Sequence, residues 1–76
     1  MPEREANQIW DAGLIGCGEI LVQLFLRLRA MQPGELFLLY SRDAAAPIEM
    51  PVWCRLTGHK LISANPPEYW IERKGN

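Results

Sequence analysis

The apolar residues of this chain change their spacing several times, and each spacing predicts one element. Between positions 18 and 31 they recur every three or four residues, which is typical of a helix buried along one face. Pro33 and Gly34 follow and should end this helix. The predicted core-facing residues are Ile20, Leu21, Leu24, Phe25, Leu28 and Met31.

Two apolar residues of the same helix fall outside that stripe. Val22 and Leu26 share the outer side of the helix with Arg29. We predict either that the edge of a sheet half-buries them or that they form a partner-binding surface with Arg29.

Shorter apolar segments predict four strands and a second helix. The strands are placed at 8–13, 36–40, 59–64 and 69–73. The second helix should have a loose first turn from Pro47, become firmer from Pro51 and end at Thr57, with Gly58 just past its end. In the resulting β-α-β-α-β-β order, a sheet with both helices on one face would bury two amphipathic helices in so short a chain.

Length and charge limit the kind of site. A chain of 76 residues makes one domain, 1–76, and we expect residues 1–7 to form a disordered tail. Because such a domain buries only about 60% of its unfolded surface, a shallow site or one completed by a partner is expected. Eight basic and nine acidic residues, without a basic tract, argue against direct nucleic-acid binding. Without a signal or membrane-spanning pattern, the chain is predicted to be cytoplasmic, with no membrane partner.

Cys17 is the candidate reactive residue. It follows Gly16 and precedes Gly18 and Glu19, where a short strand gives way to the first helix. A helix N-terminus favours a thiolate, which makes the sulfur nucleophilic. The alternatives are a small buried thiol with a packing role, or a glycine-containing loop that binds an anion. Two cysteines and one histidine are too few for a closed zinc site, and nothing calls for a metal, flavin or nucleotide.

Several short motifs follow one another in a characteristic order. They are Asp11-Ala12 ahead of Cys17, Met31-Gln32-Pro33-Gly34-Glu35, Asp43-Ala44-Ala45, Met50-Pro51-Val52-Trp53-Cys54, His59-Lys60-Leu61 and Ile71-Glu72-Arg73-Lys74. In this order the chain resembles the TusA/SirA-like family of small sulfur-carrier proteins. The resemblance covers about Trp10 to Lys74.

The resemblance implies both a fold and a role. The fold would be an α/β (α+β) two-layer sandwich with a four-stranded mixed sheet. The role would be sulfur transfer without a cofactor, with a persulfide on Cys17. Its sulfur would come from a cysteine desulfurase or rhodanese-type donor and pass to an acceptor protein. The pathway (tRNA thiolation, molybdoenzyme maturation or sulfur oxidation) stays open.

The chain departs from the family at the site itself. The family motif is Cys-Pro-x-Pro, whereas Cys17 is followed by Gly18, Glu19 and Ile20. Gly18 adds an N–H that could hold a sulfur anion, or its presence means that exact presentation of the thiol is no longer needed. Two functions therefore stay open: a sulfurtransferase, and a non-catalytic interaction or regulatory module that keeps the fold.

Other residues are assigned mainly to packing. Cys54 should pack the second helix against the sheet, and its alternative role is a second thiol that resolves Cys17. His59 is predicted to cap or pack. The three tryptophans are predicted to be core or sheet-face aromatics: Trp10, Trp53 and Trp70. On the first helix, Phe25 and Leu26 occupy positions where family members often carry basic residues, so the donor-docking surface is expected to be altered.

Overall fold

A computed structural model describes residues 5–75 of the chain and confirms the predicted order of elements. The elements are β1 (Gln8–Gly13), α1 (Cys17–Arg29), β2 (Leu36–Ser41), α2 (Ala46–Thr57), β3 (Lys60–Asn65) and β4 (Glu68–Glu72). Positions 1–4 of the predicted tail lie outside the described residues. At position 7, the Asn7 N–H donates to the Leu36 carbonyl at 2.8 Å, and the Leu36 N–H donates to Asn7 Oδ1 at 2.8 Å.

The four strands form one mixed sheet, as the family resemblance implies. Their order is β1-β2-β4-β3, with β1 parallel to β2 and the other two pairs antiparallel. Phe37 lies opposite Ile71 and Leu39 opposite Tyr69, and all four side chains are fully buried. These cross-strand pairs therefore lie on the face of the sheet that packs against the helices.

Both helices cover that same face, since one core cluster contains buried residues from each of them. The members from the helices are Cys17, Ile20, Leu24 and Leu28 of α1 and Ala46, Met50 and Cys54 of α2. Trp10 and Trp53 pack against this cluster, with the Arg27 guanidinium 4.4 Å from the centre of the Trp10 ring. Trp70 is half-buried and lies opposite Leu38 in the sheet.

The buried stripe of α1 is narrower than its apolar pattern predicts. Ile20, Leu24 and Leu28 are fully buried, but Phe25 is 49% exposed, so its placement in the core was wrong. At about 100° per residue, Phe25 points roughly 100° away from the centre of the buried stripe. Val22 and Leu26 are 59% and 51% exposed, so the prediction that a sheet edge half-buries them was also wrong.

α2 forms one continuous helix from Ala46, which corrects the predicted loose first turn. The Ile48 and Glu49 N–H groups both donate to the Ala45 carbonyl, at 3.1 and 2.9 Å, and Pro51 lies inside the helix. The predicted end is confirmed: Gly58 has φ 89°, and its N–H donates to the Cys54 carbonyl at 2.9 Å. A positive φ at this position is the usual helix-ending conformation of glycine. Among residues 5–75 we find no helix with the length and apolar content needed to span a bilayer.

Candidate functional site

Parallel pairing of β1 and β2 places the start of both helices at one edge of the sheet. Each strand runs directly into the loop before a helix, and α1 begins at Cys17 while α2 begins at Ala46. Because neighbouring parallel strands end at the same edge, the two loops and the first turns that follow them are brought together. The candidate site is therefore built from residues far apart in the chain.

Cys17 is the first residue of α1 and is 5% exposed. It lies three, seven and eleven positions before Ile20, Leu24 and Leu28, so it continues the buried stripe of the helix. Gly16 caps the helix through its backbone, since its carbonyl accepts from the Glu19 and Ile20 N–H groups at 3.1 Å each. The thiol is thus held under the first turn of α1.

The electrostatic surroundings of Cys17 oppose ionisation. Burial, a hydrogen bond to the Glu49 side chain, and the negative charges of Glu49 and Asp43 together raise the pKa of Cys17 to about 12. The expectation that the helix N-terminus favours a thiolate was therefore wrong. Desolvation and two carboxylates outweigh the helix dipole at this position.

The supporting residues predicted from sequence lie beside the thiol along the chain, but the acids acting on it lie elsewhere. Gly16, Gly18 and Glu19 are all exposed, and a Cβ added to Gly18 would have no atom within 4 Å. Glu19 is not among the charges that raise the pKa of Cys17. Their predicted supporting role stays a prediction.

Glu49, Asp43 and Tyr69 are the site residues that sequence reasoning missed. Asp43 lies in the loop before α2 and Glu49 in its first turn. The predicted order of elements could have indicated Asp43 and Glu49. If β1 and β2 are parallel, the start of α2 lies beside the start of α1. Tyr69 comes from β4, and no local pattern links it to Cys17.

The Tyr69 side chain is fully buried and its hydroxyl has no hydrogen-bond partner among residues 5–75. Burial first, and then the ionisable groups of Cys17 and Asp43, raise the pKa of Tyr69 above its usual value. Tyr69 and Cys17 belong to the same core cluster. The hydroxyl stays protonated, so it is available as a donor.

Cys54 lies in the core and is 3% exposed. Burial raises the pKa of Cys54 to about 11, and neither cysteine is in a disulfide. Both observations agree with a packing role. Its alternative role as a second thiol for Cys17 stays a prediction.

An apolar groove runs along the outer side of the helices, starting at Glu49. It has a volume of about 260 Å³. Its lining residues are Leu21, Ile48, Glu49, Val52, Trp53 and Leu56. Ile48 and Leu56 are 73% and 81% exposed, so this surface is unusually apolar for a small domain.

The opposite end of the helical layer is basic. The Arg73 Nε–H donates to the Leu28 carbonyl at 3.0 Å, and Lys74 Nζ donates to the Thr57 carbonyl at 2.9 Å. His59 is 8% exposed, and its Nδ1 accepts from the Lys74 N–H at 3.0 Å. This agrees with the predicted packing role of His59.

Comparison with known proteins points to sulfur carriers, although no family model matches the chain. Sulfur carrier protein TusA of Pseudomonas paraeruginosa is 29% identical over 74 residues, which span 92% of this chain and 94% of that protein. Sulfur carrier protein TusA of Buchnera aphidicola subsp. Baizongia pistaciae is 27% identical over 71 residues, which span 88% and 90%. The similarity extends along nearly the whole length and confirms the resemblance that the motif order indicates.

Proposed function

We propose that this chain, which is a TusA-like protein, carries sulfur as a persulfide on Cys17 and relays it from a donor to an acceptor protein. The observation that carries the proposal is the position of Cys17 at the start of α1, beside the start of α2, whose first turn carries Glu49. Relatives named as sulfur carriers match nearly the whole chain, which supports the same role.

The proposed loading step exchanges one sulfur–sulfur bond for another. The Cys17 sulfur attacks the outer sulfur of a donor persulfide, and the bond between the two donor sulfurs breaks. The donor cysteine leaves as a thiolate and takes up a proton, while the Cys17 thiol gives up its proton. The products are a persulfide on Cys17 and a free donor thiol, so no external oxidant or reductant is consumed.

Glu49 has a defined part in this step. With a Cys17 pKa of about 12, only about one thiol in 10⁵ is ionised at pH 7. Attack by a thiolate formed in advance is therefore rare. Glu49 raises the pKa of Cys17 through its side chain and its charge, so we propose that its carboxylate receives the proton as the new sulfur–sulfur bond forms.

The role implies two protein partners. The donor class we propose is a cysteine desulfurase or a rhodanese-type protein, and the acceptor supplies a thiol or an activated carbon. The reduced state of Cys17 and Cys54 is compatible with a reducing compartment, and we include a cytoplasmic location in the proposal.

The decisive experiment is the intact mass of the protein after incubation with a cysteine desulfurase and cysteine, or with a rhodanese and thiosulfate. We expect a gain of one sulfur that a reductant removes. The gain should be lost in Cys17→Ser and kept in Cys54→Ser. No gain with either donor, or a gain that survives Cys17→Ser, would contradict the proposal.

A second function, partner docking without sulfur transfer, is supported by the exposed apolar surface. Val22 and Leu26 are both more than half exposed, and Arg29 is exposed beside them. In this case alanine at Val22 and Leu26 should abolish binding of the partner protein, while Cys17→Ser should leave that binding intact. If Cys17→Ser alone removes the biological activity, the docking function is contradicted.

A further inference from the structure

A buried hydroxyl without a partner in residues 5–75 belongs to the same core cluster as the proposed carrier residue. Tyr69 is fully buried, and its hydroxyl finds no hydrogen-bond acceptor in the part of the chain that the structure describes, Cys17 Sγ included. Buried polar groups are nearly always hydrogen bonded, and an exception is a reason to look for a ligand.

The surroundings of this hydroxyl belong to the Cys17 site. Tyr69 and Cys17 belong to the same core cluster, and Asp43 raises the pKa of both. The three residues therefore belong to one region of the fold, near the edge where the two helices start. Asp43 and Tyr69 also line a surface pocket together with Ser41, Pro47 and Pro67, which places Tyr69 beside the loop before α2.

A second sulfur on Cys17 would change which hydrogen-bond acceptors lie within reach of the Tyr69 hydroxyl. In a persulfide the outer sulfur stands about 2.05 Å from Sγ, the length of a sulfur–sulfur bond. It carries lone pairs, and its anion is a better hydrogen-bond acceptor than a neutral thiol. The hydroxyl has no such acceptor while Cys17 is a free thiol, and loading would extend an acceptor about 2.05 Å beyond Sγ.

We propose that the Tyr69 hydroxyl donates a hydrogen bond to the outer sulfur of a persulfide on Cys17, and so forms a subsite for the carried sulfur. This inference rests on the proposed carrier function. Tyr69 acts as a positioning residue. It stabilises the loaded state and directs the outer sulfur inward, between Tyr69 and the start of α1.

The chain offers a matched pair of variants, because it has two tyrosines, Tyr40 and Tyr69. Tyr40 is half-buried, and its side chain points to the sheet face opposite to that of Leu39 and Tyr69. Tyr69→Phe removes only the unpartnered hydroxyl and keeps the buried ring. Tyr40→Phe makes the same chemical change outside the cluster.

The test is the equilibrium of sulfur exchange with glutathione. Each protein is mixed with glutathione persulfide and glutathione at fixed ratios, and the loaded fraction is read by intact mass. We expect Tyr69→Phe to shift the exchange constant toward glutathione about fivefold, the effect of one hydrogen bond to a sulfur acceptor. Tyr40→Phe should match the wild type.

A spectroscopic measurement checks the bond directly. In Tyr40→Phe, Tyr69 is the remaining tyrosine, so the ultraviolet Raman doublet of tyrosine reports its hydroxyl alone. Loading with sulfur should change the doublet ratio to that of a donating hydroxyl. An unchanged ratio, or an exchange constant of folded Tyr69→Phe equal to that of wild type, would overturn the inference.

The failure of the carrier function looks different. If wild-type protein takes up no sulfur at all, the proposed function is contradicted and this subsite falls with it. If wild type is loaded and Tyr69→Phe is loaded equally well, the carrier function stands and only the subsite is rejected.

Discussion

Where the two helices end, Arg73 and Lys74 donate to the carbonyls of Leu28 and Thr57, and the imidazole of His59 accepts from the Lys74 backbone. Where the helices begin, a buried thiol lies among carboxylates and a tyrosine hydroxyl has no partner in residues 5–75. The two ends of one small sandwich thus use their polar groups differently.

At the basic end the charged groups stabilise the fold, whereas at the acidic end they control the chemistry of a thiol. Cations at helix C-termini match the helix dipole and satisfy carbonyls that the helix leaves unpaired. At the other end, Asp43 and Glu49 raise the pKa of Cys17 and hold the thiol protonated. We therefore expect substitutions at the basic end to change stability, and substitutions at the acidic end to change sulfur reactivity.

Of the substitutions considered, Glu49→Gln should have the largest effect on the reactivity of Cys17. It tests the role of the carboxylates at the acidic end. It removes a negative charge that raises the pKa of Cys17, so this pKa should fall. A fall of one unit would raise alkylation by iodoacetamide at pH 9 about tenfold. Sulfur uptake at pH 7 should become slower, because the proton acceptor is lost.

Alkylation is best followed in a Cys54→Ser background, in which Cys17 is the only thiol. Because the wild-type pKa is about 12, its rate should rise about tenfold per pH unit between pH 8 and 10. Glu19→Gln is the matched control and should change neither rate. A rate that levels off near pH 8 in the wild type would show that the carboxylates do not control the thiol.

Gly58→Ala should destabilise the basic end. Gly58 has φ +89°, and a Cβ at this position would lie 3.3 Å from Lys74 Cδ. The left-handed conformation alone costs a residue with a side chain about 1–2 kcal/mol. We expect the free energy of unfolding, measured in urea, to fall by at least that amount.

Gly18→Ala is the matched control for that substitution. Gly18 lies in the helix, and a Cβ added there would meet no atom within 4 Å. Alanine should therefore raise the free energy of unfolding by about 0.5–1 kcal/mol. If Gly58→Ala and Gly18→Ala changed the free energy of unfolding equally, a left-handed Gly58 at the end of α2 would be contradicted.

His59 should make the basic end sensitive to acid. Burial and the charges of Lys74 and Arg73 lower the pKa of His59 in the folded protein. The stabilisation is present above the unfolded pKa of about 6.5 and is lost as pH falls toward the folded pKa. Between pH 7.5 and 5.5 the free energy of unfolding should drop, by at most about 1.4 kcal/mol from this group.

Since His59 is the only histidine, His59→Asn should flatten this dependence. An asparagine oxygen can still accept from the Lys74 N–H, so the variant keeps the hydrogen bond and removes the titration. A slope equal to that of the wild type would assign the acid sensitivity to other groups.

The smallest effect on stability is expected at Val22 and Leu26, which lie along α1 between the two ends. Because both are exposed, serine at these positions should change the free energy of unfolding by less than about 0.5 kcal/mol. Uptake of sulfur from glutathione persulfide should be unchanged. Uptake from a protein donor should become slower if this side of α1 contacts the donor, and equal rates would exclude that contact.

The fold was largely predictable because each helix and strand is indicated by residues close to one another in the sequence. The apolar spacing of α1 and the glycine after α2 place both helices, since each depends on neighbours in the chain. Phe25 was misplaced because a three-to-four spacing does not tell how wide the buried stripe is. The helix was predicted to become firm only from Pro51, whereas the buried side chains of Met50 and Cys54 pack on both sides of Pro51 in one continuous helix.

The candidate site was predictable only in part. Cys17 is visible as a thiol at a strand–helix junction, but its pKa depends on Asp43 and Glu49, which are brought to it by the parallel pairing of β1 and β2. Tyr69 approaches from β4, at the far end of the sequence. Periodicity describes one element at a time, so it does not show that these three residues meet.

The burial of Cys17 in the first turn of α1 also determines how quickly it can react. Cys17 is 5% exposed, so its thiol has little direct contact with solvent while this turn is closed. Two backbone hydrogen bonds of 3.1 Å to the Gly16 carbonyl hold the turn, and the first N–H groups of a helix have no intrahelical acceptor. The first turn of a helix opens more readily than its middle. We therefore expect local opening of this turn to limit the rate at which any thiol-reactive species, including a sulfur donor, reaches Cys17.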